Sequence, residues 1–214
     1  MTTEQPNIHH VERLLPERSF WTRLFHRDIP NILVLTFGDT ASRQTPYLFT
    51  QLKKKVGFIS FNNNNKTREK KVDNDLHFKN ILNTELKKYH KQLGFFRRPA
   101  KTKEKIVLIS GLGGNYGSYY VVEAAQMLHN NGYNELYTIV QMPFDFEGKI
   151  RRQHAENSLA SLDKLCTQLY IYDHAKLSKK QGELTLNDYF QKIDDNIVRV
   201  LKNILKSTIP PINL

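Results

Sequence analysis

The chain has 214 residues, 39% of them hydrophobic and 25% charged, enough to bury one full core and too apolar for a disordered chain. A single cysteine, Cys166, excludes an intramolecular disulfide, and no apolar run approaches the roughly 18 residues of a membrane-spanning helix. The formal charge of +11, from 32 Lys and Arg against 21 Asp and Glu, favours anionic partners without choosing among nucleotide phosphates, nucleic acid, lipid headgroups and acidic proteins.

Residues 1–30 read as an N-terminal extension. Glu4, His9, His10, Glu12 and Arg13 stand where a secretory peptide would be apolar, so a reducing, cytoplasmic setting is expected. Phe20, Trp21, Leu24 and Phe25 fall at helical spacing with Arg23 and Arg27 around them, and Pro30 ends any helix there. Such a basic aromatic face, residues 19–27, suits either docking on its own domain or a membrane surface.

A core domain is expected over residues 31–206. It opens with the apolar run Ile32, Leu33, Val34 and Leu35, read as a buried strand. Thr45 and Pro46 read as an N-cap and first helical turn, and residues 56–61 as the next strand. A basic insertion is expected over about residues 62–105, beginning at the asparagine run and carrying a weak helical period over residues 76–93.

The second half is more regular. Residues 106–109 read as a strand, 118–128 as a helix with Val121, Ala124, Ala125 and Leu128 on one face, and 136–140 as a strand. Helix 150–165, strand 169–172 and a long helix over about 185–205 follow; the last has a stripe of Leu186, Tyr189, Ile193, Ile197, Val200 and Ile204. Alternation of this kind predicts an α/β fold, three layers deep, with a mainly parallel sheet covered on both faces. Cys166, near the end of a helix, reads as a small buried hydrophobe rather than a nucleophile.

Two segments could carry chemistry. Between strand and helix, Gly111, Gly113, Gly114 and Gly117 free the backbone to approach an anion, and Ser118 can cap the helix or touch phosphate. No Gly-Lys-Ser/Thr follows, so this is not a P-loop, and a plain tight turn explains the glycines equally well. About thirty residues later comes Pro143-Phe144-Asp145-Phe146-Glu147-Gly148, with Arg151 four residues beyond Glu147 on the same helix face. That pair could grip a ribose and a phosphate, or form a surface ion pair worth under about 1 kcal/mol.

In this order, the two segments resemble the nucleotide-binding half of the FtsZ/tubulin family. Against the family pattern G-G-G-T-G-[ST]-G, Gly113, Gly114, Gly117 and Ser118 match, while Asn115, Tyr116 and Tyr119 replace glycine, threonine and glycine. The two tyrosines put rings beside the expected phosphate path. The resemblance implies that Glu147 and Arg151 reach the nucleotide, that Phe190 stacks on guanine, and that Asp195 reads its N1–H and amino group. Asp173 or His174 falls near a family asparagine. The first phosphate loop of the family is reduced to one glycine, Gly38, followed by Asp39, which repels phosphate unless a metal intervenes. The second phosphate loop is unrecognisable within residues 86–105. Residues 207–214 resemble the start of the family's catalytic loop and stop before its acids, so no catalytic residue and no resident metal site is assigned.

The resemblance thus implies a divergent guanine-nucleotide-binding protein taking GTP or GDP, with Mg²⁺ as an optional companion. It would hydrolyse poorly or only with a full-length FtsZ-like partner, in cell division, filament or membrane-remodelling systems, with self-association as a second mode of assembly. A nucleotide-free relative that caps or regulates filaments is the alternative. A nucleic-acid or membrane-surface module ranks third, because the basic region lacks the interleaved aromatics of a stacking platform.

Overall fold

The computed structural model describes residues 10–14, 32–52, 56–62, 74–93, 104–180 and 185–206. Its six strands are β1 (His10–Leu14), β2 (Ile32–Phe37), β3 (Gly57–Asn62), β4 (Lys105–Gly111), β5 (Glu135–Met142) and β6 (Gln168–Asp173). The helices are α1 (Gly38–Gln51), α2 (Asn74–Leu93), α3 (Asn115–Asn130), α4 (Lys149–Asp163), α5 (His174–Lys180) and α6 (Leu186–Lys206), with a 3-10 turn at Asp145–Glu147. The sheet order is β1-β3-β2-β4-β5-β6; β1 is antiparallel to β3 and all other pairs are parallel.

The expected α/β three-layer fold is what forms. Period-2 alternation sends Leu33, Leu35 and Phe37 to one face and Ile32 and Val34 to the other. The first face carries α2, α3 and α4, through Phe78, Leu82, Tyr120, Ala124 and Leu162; the second carries α1 and α6, through Leu48, Ile193, Ile197 and Leu201. Phe37 and Phe61 stack at 5.2 Å with Phe78 edge-on to both, and each fully buried ring contributes about 1.5–3 kcal/mol by leaving water. On α6, Tyr189, Ile193, Ile197 and Ile204 are buried as expected; Leu186 is exposed and Val198 and Leu201 complete the stripe instead.

Four local features differ from expectation. First, α1 starts at Gly38, directly off β2, so Thr45 is no N-cap and Pro46 lies inside the helix. A positive φ of 81° at Gly38 makes that abrupt start affordable only for glycine. Pro46 removes one helical N–H, and Thr45 stiffens the turn by donating to the Ala41 carbonyl at 3.0 Å while meeting the Thr36 hydroxyl at 3.1 Å.

Second, residues 10–14 of the supposed extension form a sheet strand, from His10↔Asn62 to Leu14↔Phe58. Arg13 pairs with the buried carboxylate of Glu85 on α2 and so ties this edge to the helix layer. Third, α2, within the supposed insertion, buries Phe78, Leu82, Leu86 and Tyr89 in the main core, and its His90 meets Glu104 at 2.8 Å in a buried pair ahead of β4. Fourth, residues 174–180, between the expected strand and the long helix, form α5. The aromatic helix read at 19–27, most of the basic run and residues 207–214 lie outside the described residues.

Candidate nucleotide site

The chain direction reverses its sheet order between β2 and β4, since β3 lies to one side of β2 and β4 to the other. Parallel α/β sheets bind ligands in the crevice beyond the carboxyl ends of strands at such a point. Here that crevice is a cavity of about 380 Å³, reached by the ends of β2 (Phe37), β4 (Gly111) and β5 (Gln141, Met142).

One wall is the glycine turn. Leu112 leaves β4 by donating to the Gln141 carbonyl at 2.8 Å, and Gly113 adopts φ 94°. A Cβ on Gly113 would lie 3.1 Å from the Arg151 carbonyl oxygen, so both conformation and space demand glycine. Gly117 is tighter: its Cβ would stand 2.5 Å from the Gly111 carbonyl oxygen and 2.8 Å from Ser110 Oγ. This glycine lets the start of α3 settle against β4. Gly114 is the N-cap of α3, with open space where a side chain would go and no side-chain cap on the helix. The first-turn amides therefore keep their anion-attracting partial charge.

The expected site residues divide. Gly38, Gly111, Gly114, Asn115, Gly117, Glu147, Arg151 and Phe190 all line the cavity; Gly113, Ser118 and Asp195 do not. Ser118 points its Oγ at the Gly113 amide, 2.8 Å away, and so fixes the turn from inside. Asp195 faces α1, where its Oδ1 accepts from the Tyr47 hydroxyl at 2.5 Å. Helix phase explains this: five residues beyond Phe190 is about 140° round the axis, whereas four is only about 40°. Asp194, at that fourth position, accepts from Gln44 Nε2 at 2.6 Å, and Gln44 in turn accepts from the cavity-lining Gln141 at 2.9 Å. Burial pushes the Asp194 carboxyl above the ordinary carboxylate range, with the Gln44 hydrogen bond opposing it.

The opposite wall is aromatic. Phe144 stacks between His174, at 4.7 Å and 12°, and Phe146, at 4.9 Å and 17°. Phe190, 36% exposed, sits edge-on to both Phe144 and His174 and leaves a face available for a planar ligand. His174 is buried, hydrogen-bonded through Nδ1 to the Tyr189 hydroxyl at 2.7 Å, and burial lowers its pKa, which favours the uncharged ring. Glu147 is doubly engaged: Oε1 accepts from the Phe144 amide at 2.9 Å and Oε2 from Arg151 at 2.6 Å. Asp173 is turned away, clamped by Arg152 through bonds of 2.8 and 2.7 Å.

No protein-family model matches the chain. Over 105 residues, 48% of this chain, it is 31% identical to "Mitochondrial division protein fszA" of Dictyostelium discoideum, a match that reaches 20% of that protein. Over 104 residues it is 26% identical to "Cell division protein FtsZ" of Mycoplasmopsis pulmonis, reaching 26% of that protein. Among solved structures, "FtsZ dimer, empty (M. jannaschii)" superposes with a TM-score of 0.60 at 16% identity, covering 91% of this chain and 60% of the other. CetZ from Methanosaeta thermophila gives 0.60 at 17% identity, covering 84% and 55%. The chain resembles the FtsZ/tubulin family through partial homology over about half of its length, and it shares the fold of the FtsZ and CetZ structures.

Its likeness to the solved FtsZ structures shows the shared GTPase-domain fold, and the chain spans a fifth to about a quarter of the length of these two curated relatives. Within this FtsZ-like fold the cavity offers a helix N-terminus for an anion, a carboxylate–guanidinium pair for hydroxyls and an edge-on aromatic rim for a flat ring. Several lining residues escape sequence reading, among them Phe144, Gln141, Asn62 and Thr40. Phe144 was visible in the quoted loop, but only its stacking on His174 shows what it does. Gln141 carried one signal, a polar side chain near the end of a mostly apolar strand. The two replacing tyrosines also part company, since Tyr116 lines the cavity and Tyr119 packs edge-on against Tyr120 in the core layer.

Proposed function

We propose that this FtsZ-like domain binds a guanine nucleotide at the ends of β2, β4 and β5. The observation that carries the reading is convergence: the uncapped start of α3, the Glu147–Arg151 pair and the Phe190 ring meet around one cavity. Phosphate would lie on the first-turn amides of α3 beside Gly114 and Asn115. Glu147 and Arg151 would address the ribose, and Phe190 the base. Two readings of base recognition compete: Asp195, implied by its spacing from Phe190, and the Gln141–Gln44–Asp194 chain, which reaches the cavity through Gln141 and is favoured by its geometry.

Hydrolysis by the chain alone is expected to be slow. Asp39 and Glu147 are the carboxylates among the described residues lining the cavity, and Glu147 already accepts two hydrogen bonds. Orienting an attacking water needs a free group; Asp39 is exposed but stands where the phosphates would gather, so a full-length FtsZ-like partner would have to lend one. Work in a division, filament or membrane-remodelling system follows from kinship. The nucleotide-free reading has one observation in its favour, Asp39 placed where phosphates would gather.

Equilibrium binding of fluorescent GDP and GTP, with ATP as competitor, tests the proposal. Micromolar binding that ATP fails to displace is expected. Absence of binding at high protein concentration would leave the nucleotide-free reading in its place.

A further inference from the structure

The starts of two helices, α1 and α3, touch at the floor of the cavity. A Cβ on Gly38 would lie 3.4 Å from the Gly117 Cα, ordinary contact distance, so the two helix ends pack directly together; at Gly38 it is the φ of 81° that demands glycine. Neither end has a side-chain cap. Two such ends pointing at one volume would favour a large anionic charge there, yet the side chains at the junction work against it. Asp39, in the first turn of α1, lines the cavity and is solvent-exposed. Arg151 is the one cationic side chain among the described residues lining it, and Glu147 already holds that guanidinium at 2.6 Å.

Tyr116 supplies the second observation. Tyr116 lines the cavity and is 8% exposed, and its ring packs on Tyr120 at 4.7 Å. Its hydroxyl is buried with no hydrogen-bond partner among the described residues. An orphan buried hydroxyl costs about 1–3 kcal/mol, which an acceptor arriving with a ligand would recover. Burial, then Tyr120 and Asp39, hold the phenol well above its ordinary pKa, so it stays a donor.

From this junction we infer that the cavity is a nucleoside diphosphate site that discriminates against the triphosphate. The inference rests on the guanine-nucleotide reading above. The terminal phosphate of a diphosphate sits on the α3 amides and accepts from Tyr116 Oη. A third phosphate has to enter between the two helix starts, against the Asp39 carboxylate, with no free cation among the described lining residues to offset it. Like charges at short range are repulsive enough for a discrimination of about tenfold.

Calorimetric titration of the whole chain with GMP, GDP and GTP, in Mg²⁺ and again in EDTA, reads this directly. GDP is expected to bind about tenfold more tightly than GTP in both buffers. Asp39→Asn should narrow that gap to about threefold by tightening GTP, and Tyr116→Phe, which keeps the ring, should weaken GDP about threefold or more while leaving GMP nearly unchanged. GTP binding as tight as GDP in either buffer overturns the inference but leaves the guanine site standing. That includes the case in which Asp39 recruits Mg²⁺ to the triphosphate. A gap unaltered by Asp39→Asn also overturns it. No binding of any of the three overturns this inference and the guanine-nucleotide reading together.

Discussion

Arg152 on α4 holds Asp173 at the end of β6 with two parallel hydrogen bonds, 2.8 and 2.7 Å long. The guanidinium, with Glu156 as its second partner at 3.1 Å, brings the Asp173 carboxyl down from 3.8 to about 2. Because the folded value lies below the unfolded one, this pair stabilises the fold fully above about pH 4 and progressively less as pH falls toward 2. Arg152→Ala should cost about 1–2 kcal/mol at pH 7, read by denaturant melts. Asp173→Asn should flatten the loss of stability between pH 4 and 2; an unchanged acid limb would show that other carboxylates dominate it.

Gly117 and Gly114 stand three residues apart and should differ several-fold in what alanine costs. At Gly117 the new methyl meets backbone at 2.5 Å and nothing flexible can yield, so a loss of about 2–4 kcal/mol is expected. Gly114→Ala meets open space at φ −86° and should cost about 0.5 kcal/mol, mainly through a poorer N-cap. Equal melting temperatures for the two variants would refute the packing described for α3.

Removing the Phe190 ring should weaken guanine-nucleotide binding about 5- to 100-fold, the ordinary worth of a base–aromatic stack, with little change in melting because the ring is partly exposed. Adenine nucleotides, which stack as well, serve as the reference. A wild-type affinity in Phe190→Ala would remove the aromatic rim from the binding role.

The two adjacent acids on α6 offer a cleaner comparison. Asp194→Asn should reduce selectivity for guanine over adenine nucleotides about tenfold, because Asp194 is linked through Gln44 to the cavity. Asp195→Ala should act as Tyr47→Phe does, through loss of one exposed contact worth about 1 kcal/mol or less. Selectivity lost in Asp195→Ala and retained in Asp194→Asn would restore the assignment made from spacing alone.

How legible was this protein in its sequence? Strands β2, β4 and β5 announced themselves as short apolar runs, and α3 and α6 as stripes, because burial on a sheet imposes those periods. Strand β1 did not: Glu12 and Arg13 hide a five-residue strand whose stability comes from pairing with β3 and from Glu85, both distant in sequence. Helix α1 was misjudged because Pro46 reads as a start signal, whereas the start lies at a glycine whose φ only the folded chain reveals. At the site, glycine and loop motifs marked the right neighbourhood. The phase of Asp194 against Asp195, and the stacking of Phe144 on His174, needed coordinates, since a spacing does not say which way a side chain faces.

Cys166 gives a probe of local order. It is only partly exposed, meets Thr138 Oγ1 at 2.9 Å, and burial pushes its thiol from 9.0 to about 11. At pH 8 its thiolate population should be about 100-fold below that of an ordinary cysteine, and a disulfide reagent should react correspondingly slowly until the protein is unfolded. Rapid labelling of the native protein would show that the end of α4 opens readily.

Helix α1 begins at the Gly38–Gly117 contact and, about 9 Å further along, presents Gln44 to Asp194 and then Tyr47 to Asp195. It is a rigid beam with one end in the phosphate corner and its middle bolted to α6. A displacement of its first turn therefore tilts the lever that sets the polar contacts of α6, and the two ends of the proposed nucleotide site would be coupled through this one helix.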